Sequence, residues 1–258
     1  MNSLHIFLLA SALLSLCACA ANSSGEEKSG DDPWSAQRRA MVDNQLKRRD
    51  IVDPAVLAAM AKIPRHLFVP EQYRAQAYQD RPLPIGHAQT ISQPYIVALM
   101  TQYARASPGK KALDVGTGSG YQAAVLGEIV DEVYSIEILC RLADEARARL
   151  DGLGYENITV RCGDGYAGWP EEAPFDLIVV AAAPEQVPQP LIDQIAPGGF
   201  MVIPVGAGSQ ELVVMERRED GTIRRQTSGG VRFVPMTGRA QEAEPDSEAD
   251  EPSERPPR

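Results

Sequence analysis

Histidine and cysteine are scarce in this chain, three and four in 258 residues, and they do not gather. Cys17 and Cys19 sit near the N-terminus, while Cys140 and Cys162 stand apart with no histidine beside them, which excludes a histidine–cysteine metal site. The latter two read as buried free thiols, with a disulfide formed after export as the alternative. Apolar runs long enough to span a bilayer are also missing, since the longest, Leu4 to Leu16, is too short. No internal repeat is visible. A basic patch is absent too: the formal charge of -10 is concentrated at the ends, where Gln241 to Arg258 holds seven acids against two arginines and Ala21 to Pro33 four acids against one lysine. The core between them is near neutral, which removes any electrostatic preference for nucleic acid or anionic membrane.

What the N-terminus does have is the apolar core of a signal peptide, followed at once by small residues. Ala18-Cys19-Ala20 fits an A-x-A cleavage site, and Leu16-Cys17-Ala18-Cys19 resembles a bacterial lipobox that would lipidate Cys19. The segment before the apolar run carries His5 but no lysine or arginine. The chain therefore divides into a signal-peptide-like segment 1–20, an acidic linker 21–33, a domain 34–240 and an acidic tail 241–258. Linker and tail lack large apolar residues and are expected to be disordered.

At 44% hydrophobic content the middle can bury one α/β core. Ala36 to Asp50 reads as a helix with a solvated basic face of Arg38, Arg39, Lys47, Arg48 and Arg49. Asp53-Pro54 and Pro94 start two more helices. Strands at 111–115, 132–138, 158–162, 175–180, 200–204 and 211–217 alternate with helices at 121–129, 140–150 and 188–195, the pattern of a doubly wound, mostly parallel sheet. Glu211 to Arg217 and Ile223 to Arg225, joined through Asp220-Gly221, form a hairpin that puts antiparallel strands at one edge.

The run Leu113-Asp114-Val115-Gly116-Thr117-Gly118-Ser119-Gly120-Tyr121-Gln122 compresses a strand end, a glycine-rich turn and a helix start into ten residues. Such a loop lets the backbone approach a nucleotide cofactor while the next helix aims its N–H groups at the same crevice. Gly118-Ser119-Gly120-Tyr121-Gln122-Ala123 literally satisfies the dinucleotide fingerprint, with Glu137 as the ribose acid, so an NAD-dependent oxidoreductase stands as one reading. Three features favour S-adenosylmethionine. Asp114 would repel a pyrophosphate but suits a cationic group. The loop begins more than 100 residues into the chain. A second turn, Cys162-Gly163-Asp164-Gly165, follows the third apolar strand, where an acid can accept from an adenine amino group.

With these motifs the chain resembles the protein-L-isoaspartate O-methyltransferases from about Met41 to about Arg239. The most specific piece is Leu83-Pro84-Ile85-Gly86-His87-Ala88-Gln89-Thr90-Ile91-Ser92-Gln93-Pro94-Tyr95, in which Ala88 stands where the family commonly has glycine. Further pieces are Pro64-Arg65-His66-Leu67-Phe68-Val69-Pro70, Ala182-Ala183-Pro184-Glu185, Pro197-Gly198-Gly199 and Val231-Arg232-Phe233-Val234-Pro235-Met236-Thr237. The resemblance implies a Rossmann-like methyltransferase fold with S-adenosyl-L-methionine as methyl donor. The implied acceptor is the α-carboxylate of L-isoaspartyl residues in damaged proteins or peptides, with repair passing through a succinimide. The family resemblance implies a cytoplasmic enzyme, whereas the signal-like N-terminus points to the periplasm or a lipid-anchored place in the envelope.

Ser92 is the implied catalytic residue, although a serine just before Pro94 would ordinarily cap a helix. The cofactor residues are Thr90, Ser92, Asp114, Gly116, Gly118, Gly120, Glu137, Asp164, Gly165 and Thr237. Of these, Glu137 follows from its place at a strand end, while Asp164 is assigned to the adenine side by resemblance and equally suits a turn-stabilising role. His66 reads as a structural hydrogen-bonding residue, and His87 as lining the site or packing its loop. The 83–95 segment and a Val231–Thr237 strand would hold the substrate backbone, the latter by edge pairing.

Overall fold

A computed structural model describes residues 32–241. The signal-like segment, the linker but for Asp32 and Pro33, and the tail but for Gln241 lie outside the described residues. The centre is a seven-stranded sheet of β3 (Lys111–Val115), β4 (Glu132–Glu137), β5 (Ile158–Cys162), β6 (Phe175–Val180), β7 (Ile195–Val205), β8 (Gln210–Arg217) and β9 (Ile223–Val231), in the order β5-β4-β3-β6-β7-β8-β9. The first five are parallel to one another, and β8 and β9 close one edge antiparallel. Near-continuous apolar runs such as Phe175-Asp176-Leu177-Ile178-Val179-Val180 make the central strands, because a parallel sheet is covered on both faces. Alternation then sorts their side chains. Ala112, Val133, Leu177 and Val179 face a core shared with most of the helices, while Leu113, Val115, Ile178 and Val180 face a second cluster with Trp169 and Leu191.

The helices are α1 (Ser35–Met41), α2 (Pro54–Lys62), α3 (Pro94–Tyr103), α4 (Tyr121–Gly127), α5 (Cys140–Gly152) and α6 (Gln189–Asp193). Asp53 caps α2 through bonds from the N–H groups of Ala55 and Val56, with Pro54 in the first turn. The expected 36–50 helix divides instead, α1 running into a π-helical turn at Val42–Leu46. Its basic residues are not all solvated: Arg38 Nε donates to the Ala61 carbonyl, and Arg49 pairs with Asp80 at 2.8 Å and lies over the Tyr95 ring. The 188–195 helix shrinks to five residues, the 200–204 strand grows to eleven, and the second hairpin strand extends to Val231.

Two features depart from the sequence reading in ways that shape the site. A two-stranded hairpin, β1 (Leu83–Gly86) with β2 (Gln89–Ile91), stands outside the main sheet and turns through His87 and Ala88, both at positive φ (51° and 56°). That is the conformation a glycine at 88 would adopt without side-chain strain. Cys140 and Cys162, expected as buried free thiols, are exposed and form a disulfide that ties the start of α5 to the end of β5. Strands β4 and β5 are adjacent and in register, with Glu137 opposite Cys162, so residues just past both ends lie close enough to pair.

Candidate functional site

At the carboxyl ends of the parallel strands lies a crevice where the order reverses about β3, with β4 on one side and β6 on the other. Its floor is the turn from Val115 to Ser119 and the ends of β4 and β6; its walls are the β1–β2 hairpin with Ser92 and the segment 234–237. Of the residues expected from sequence, Thr90, Ser92, Gly116, Gly118, Glu137, Gly165 and Thr237 meet there. His87 lines it as well, its Nε2 lying 3.8 Å from Glu145 Oε1 on α5.

Glu137 ends β4 with only 6% of its surface exposed, yet its carboxylate borders the cavity. One oxygen accepts the Gly118 N–H at 2.9 Å and the other the Leu139 N–H at 3.1 Å. The acid thus braces the glycine turn and keeps spare lone pairs as acceptors, which ribose hydroxyls require. Ile138 and Leu139, which follow it, are about one-third exposed and offer an apolar face for a purine ring. The residues present therefore fit S-adenosylmethionine: a carboxylate for the ribose, an apolar face for the base, and a glycine turn whose Gly118 (φ 53°) leaves the backbone uncovered. Glu137→Ala is expected to weaken S-adenosylmethionine binding by about tenfold or more, since a hydrogen bond to a charged group contributes ~1.5–3 kcal/mol. Titration calorimetry on the folded variant checks this, and unchanged affinity removes Glu137 from the site.

Thr237 reaches the cavity from far along the chain because the segment before it is pinned to the end of β6. Ala183 N–H donates to the Val234 carbonyl and Met236 N–H to the Ala183 carbonyl, both at 2.8 Å, around a single bridge at Pro235. The expected 231–237 strand is not formed; β9 stops at Val231 and this one bridge replaces it.

Three expected cofactor residues do not line the cavity. Asp114 is fully buried, because alternation along β3 turns it onto the helix-covered face. There its Oδ2 accepts from Ser135 Oγ at 2.7 Å, and Ser135 in turn contacts Thr117 Oγ1 at 2.6 Å beneath the glycine turn. Gly120, at φ 88°, serves packing: a Cβ there would lie 3.2 Å from Leu150, so glycine lets α4 start against α5. Asp164 spends one oxygen on the Tyr166 N–H and the other on the Arg239 N–H, each at 2.9 Å, stapling the turn after β5 to the segment beyond Thr237. Turn stabilisation, the alternative left open for Asp164, is what its geometry displays.

Burial pushes the Asp114 carboxyl up to about 7, with the Ser135 bond opposing and the neighbouring Glu137 charge adding to the rise. A carboxyl raised in the folded state contributes stability that is present below its unfolded value near ~4 and is lost as pH rises through about 7. The fall in melting temperature between pH 5 and pH 8 should accordingly be smaller in Asp114→Asn than in the native chain. Equal falls in parallel thermal melts would show that Asp114 does not titrate in that window.

Ser92 also differs from its expected setting. The N-cap of α3 is Gln93, without a side-chain cap bond, and the Tyr95 N–H is taken instead by Asp80 Oδ1 at 3.1 Å. The Ser92 hydroxyl, half-buried on the cavity wall, makes no hydrogen bond with any described residue, so the capping role falls away. His66, by contrast, sits 7% exposed with Nδ1 2.8 Å from the Tyr78 hydroxyl. The sequence reading missed Tyr121, Gln122, Ala181 and the apolar pair Ile138-Leu139 as lining residues. The pair's position directly after a strand-ending acid was the signal available for them.

Residues 36–241 match the family described as protein-L-isoaspartate(D-aspartate) O-methyltransferase. Protein-L-isoaspartate O-methyltransferases from Gloeobacter violaceus and Opitutus terrae are 57% and 56% identical over 199 and 202 residues, covering 76% and 78% of this chain and 97% and 87% of theirs. A solved structure from Plasmodium falciparum, titled as a protein-L-isoaspartate O-methyltransferase in complex with S-adenosyl-L-homocysteine, superposes with a TM-score of 0.68 at 27% identity, covering 78% of this chain and 98% of that one. The oxidoreductase reading finds no support among these matches.

Proposed function

The chain belongs to the protein-L-isoaspartate(D-aspartate) O-methyltransferase family, and we propose that the cavity between Ser92, Glu137 and the glycine turn is where its methyl transfer takes place. It transfers a methyl group from S-adenosylmethionine to the α-carboxylate of L-isoaspartyl residues in damaged proteins or peptides, and the ester closes to a succinimide that begins repair. The observation that carries the site assignment is the unpartnered Ser92 hydroxyl on the wall of the cavity that Glu137 borders. When bound, S-adenosylmethionine supplies an electrophilic methyl group. Glu137 would hold the ribose side, Ile138 and Leu139 would flank the base, and the Gly116–Gly118 turn would admit the rest.

The acceptor carboxylate, with a reference pKa near ~4, is ionised at neutral pH, so the protein has no proton to remove. Its work is alignment and exclusion of water, and Ser92 donates a hydrogen bond that orients the carboxylate without exchanging a proton. Apolar neighbours of Ser92, among them Ile91, Val97 and Met100, line that end of the cavity and lower the polarity of the site. The experiment that tests the reading is label transfer from S-adenosylmethionine to a peptide pair differing only in an isoaspartyl or aspartyl linkage. Transfer confined to the isoaspartyl peptide supports it; transfer to neither sinks it.

We also propose that the enzyme acts outside the cytoplasm, in the periplasm or lipid-anchored at Cys19. The signal-like run before Ala20 supports this, as does the Cys140–Cys162 disulfide, a bond that persists in oxidising compartments. Mass spectrometry of the native N-terminus is expected to find cleavage after Ala20 or a lipid on Cys19. An unmodified Met1 would overturn both forms.

A further inference from the structure

Arg65 is the largest fully buried side chain of the described residues, at 0% exposure. Its guanidinium is placed among acceptors that carry no full charge. Nε donates to the Ala77 carbonyl and Nη2 to the Ser92 carbonyl, both at 2.7 Å, the plane lies 4.6 Å from the centre of the Tyr121 ring, and Nη1 is buried without a partner. Burial drives its pKa below the ordinary value, opposed by Tyr121, Tyr78 and Asp80. Withdrawing a guanidinium from water with no carboxylate in contact is costly, and an aliphatic residue would fill the same volume without that desolvation. The arrangement does something an aliphatic residue cannot. It fastens the carbonyl of Ser92 to a loop fifteen residues upstream and to a ring on the cavity wall.

The other end of the same short segment is held by Asp80. Its Oδ1 accepts the Tyr95 N–H at 3.1 Å, and its Oδ2 accepts Gln93 Nε2 at 3.4 Å and Arg49 Nη1 at 2.8 Å. Residues 92–95 are thus gripped by a cation at their first carbonyl and by an anion at their last amide. The Ser92 hydroxyl, on the residue whose carbonyl Arg65 holds, is left free toward the cavity.

We propose that Arg65 and Asp80 are positioning residues for methyl transfer, which fix the backbone of Ser92–Tyr95 from opposite ends and so fix the direction of the Ser92 hydroxyl. This rests on the reading of Ser92 as the group that orients the acceptor carboxylate. Neither residue lines the cavity, so both act through Ser92 and not by contact with substrate. Lysine cannot replace Arg65 fully, because one ammonium cannot reach two carbonyls and stack on a ring at once.

The test is a double-mutant cycle on the full chain, with Arg65→Lys, Arg65→Met, Asp80→Asn and Ser92→Ala singly and paired. Readouts are kcat and KM for an isoaspartyl peptide, calorimetric affinity for S-adenosylhomocysteine, and melting temperature. Arg65→Lys and Asp80→Asn are expected to lower kcat about 10- to 100-fold, the scale of an ångström of misplacement, with KM and S-adenosylhomocysteine affinity within about threefold. Arg65→Met should lose more than Arg65→Lys. On a Ser92→Ala background the same substitutions should change kcat by less than about threefold, because the group they direct is gone. Should the Arg65 variants fail to fold, Asp80→Asn carries the same comparison at the more exposed end. Full additivity with Ser92→Ala, or unchanged kcat in Arg65→Lys or Asp80→Asn while Ser92→Ala alone is inactive, overturns the positioning role only. Normal kcat in Ser92→Ala overturns the reading of Ser92 itself, and this inference with it.

Discussion

Replacing Ser92 by alanine is expected to lower turnover at least about 100-fold while leaving S-adenosylhomocysteine affinity and the fold nearly as they were. Sequence alone argues for a modest structural loss as well, because a serine two residues before a helix-starting proline ordinarily caps that helix and its removal costs ~1 kcal/mol. The structure assigns that work elsewhere. Gln93 is the N-cap residue, Asp80 takes the Tyr95 N–H, and the Ser92 carbonyl is held by Arg65, all of which survive in the alanine variant. What disappears is one hydroxyl facing the cavity with no other described partner. The stability change should stay within about 0.5 kcal/mol. Initial rates per folded molecule, paired with thermal melts, decide between the roles. A variant that turns over normally but melts several degrees lower would return Ser92 to a structural part.

The contrast between Ser92 and Glu137 shows what a sequence makes legible. Strands at 111–115, 158–162 and 175–180 could be read to the residue because each is an apolar run bounded by polar or turn residues. Glu137 was readable for the same reason, since a strand-ending acid opposite a glycine turn has one direction to face. Asp114 lies off the cavity wall because alternation along β3, two residues short of the turn, directs it onto the helix-covered face. The β1–β2 hairpin carries no conventional turn pair; it bends through His87 and Ala88, residues that seldom adopt positive φ. β9 was read only as far as Arg225, because eight of its nine residues are exposed and leave no hydrophobic pattern beyond it. Gly120 and Asp164 illustrate a further limit. A motif residue can be required by the packing of its own loop, and that packing is visible only in the coordinates.

With a matched pair of peptides, one linked through an isoaspartyl residue and one through aspartate, methylation should favour the isoaspartyl member by at least about 100-fold in kcat/KM. In the isoaspartyl form the backbone passes through the side-chain carbonyl, so the free carboxylate sits on Cα, one methylene nearer the chain than in aspartate. If the wall from Thr90 to Ser92 holds the peptide, its single fixed hydroxyl offers one place for the reacting oxygen. The aspartyl carboxylate overshoots that place by about a bond length, and misplacement of ~1 Å can cost 100-fold in rate. The discrimination should therefore appear mainly in kcat, and it should narrow in Ser92→Ala, where the hydroxyl that rewards correct placement is absent. Methanol released as the ester closes to the succinimide gives an independent count of turnovers. Equal methylation of both peptides would mean that the wall does not fix the acceptor, and the repair assignment would fall while the methyltransferase fold stood.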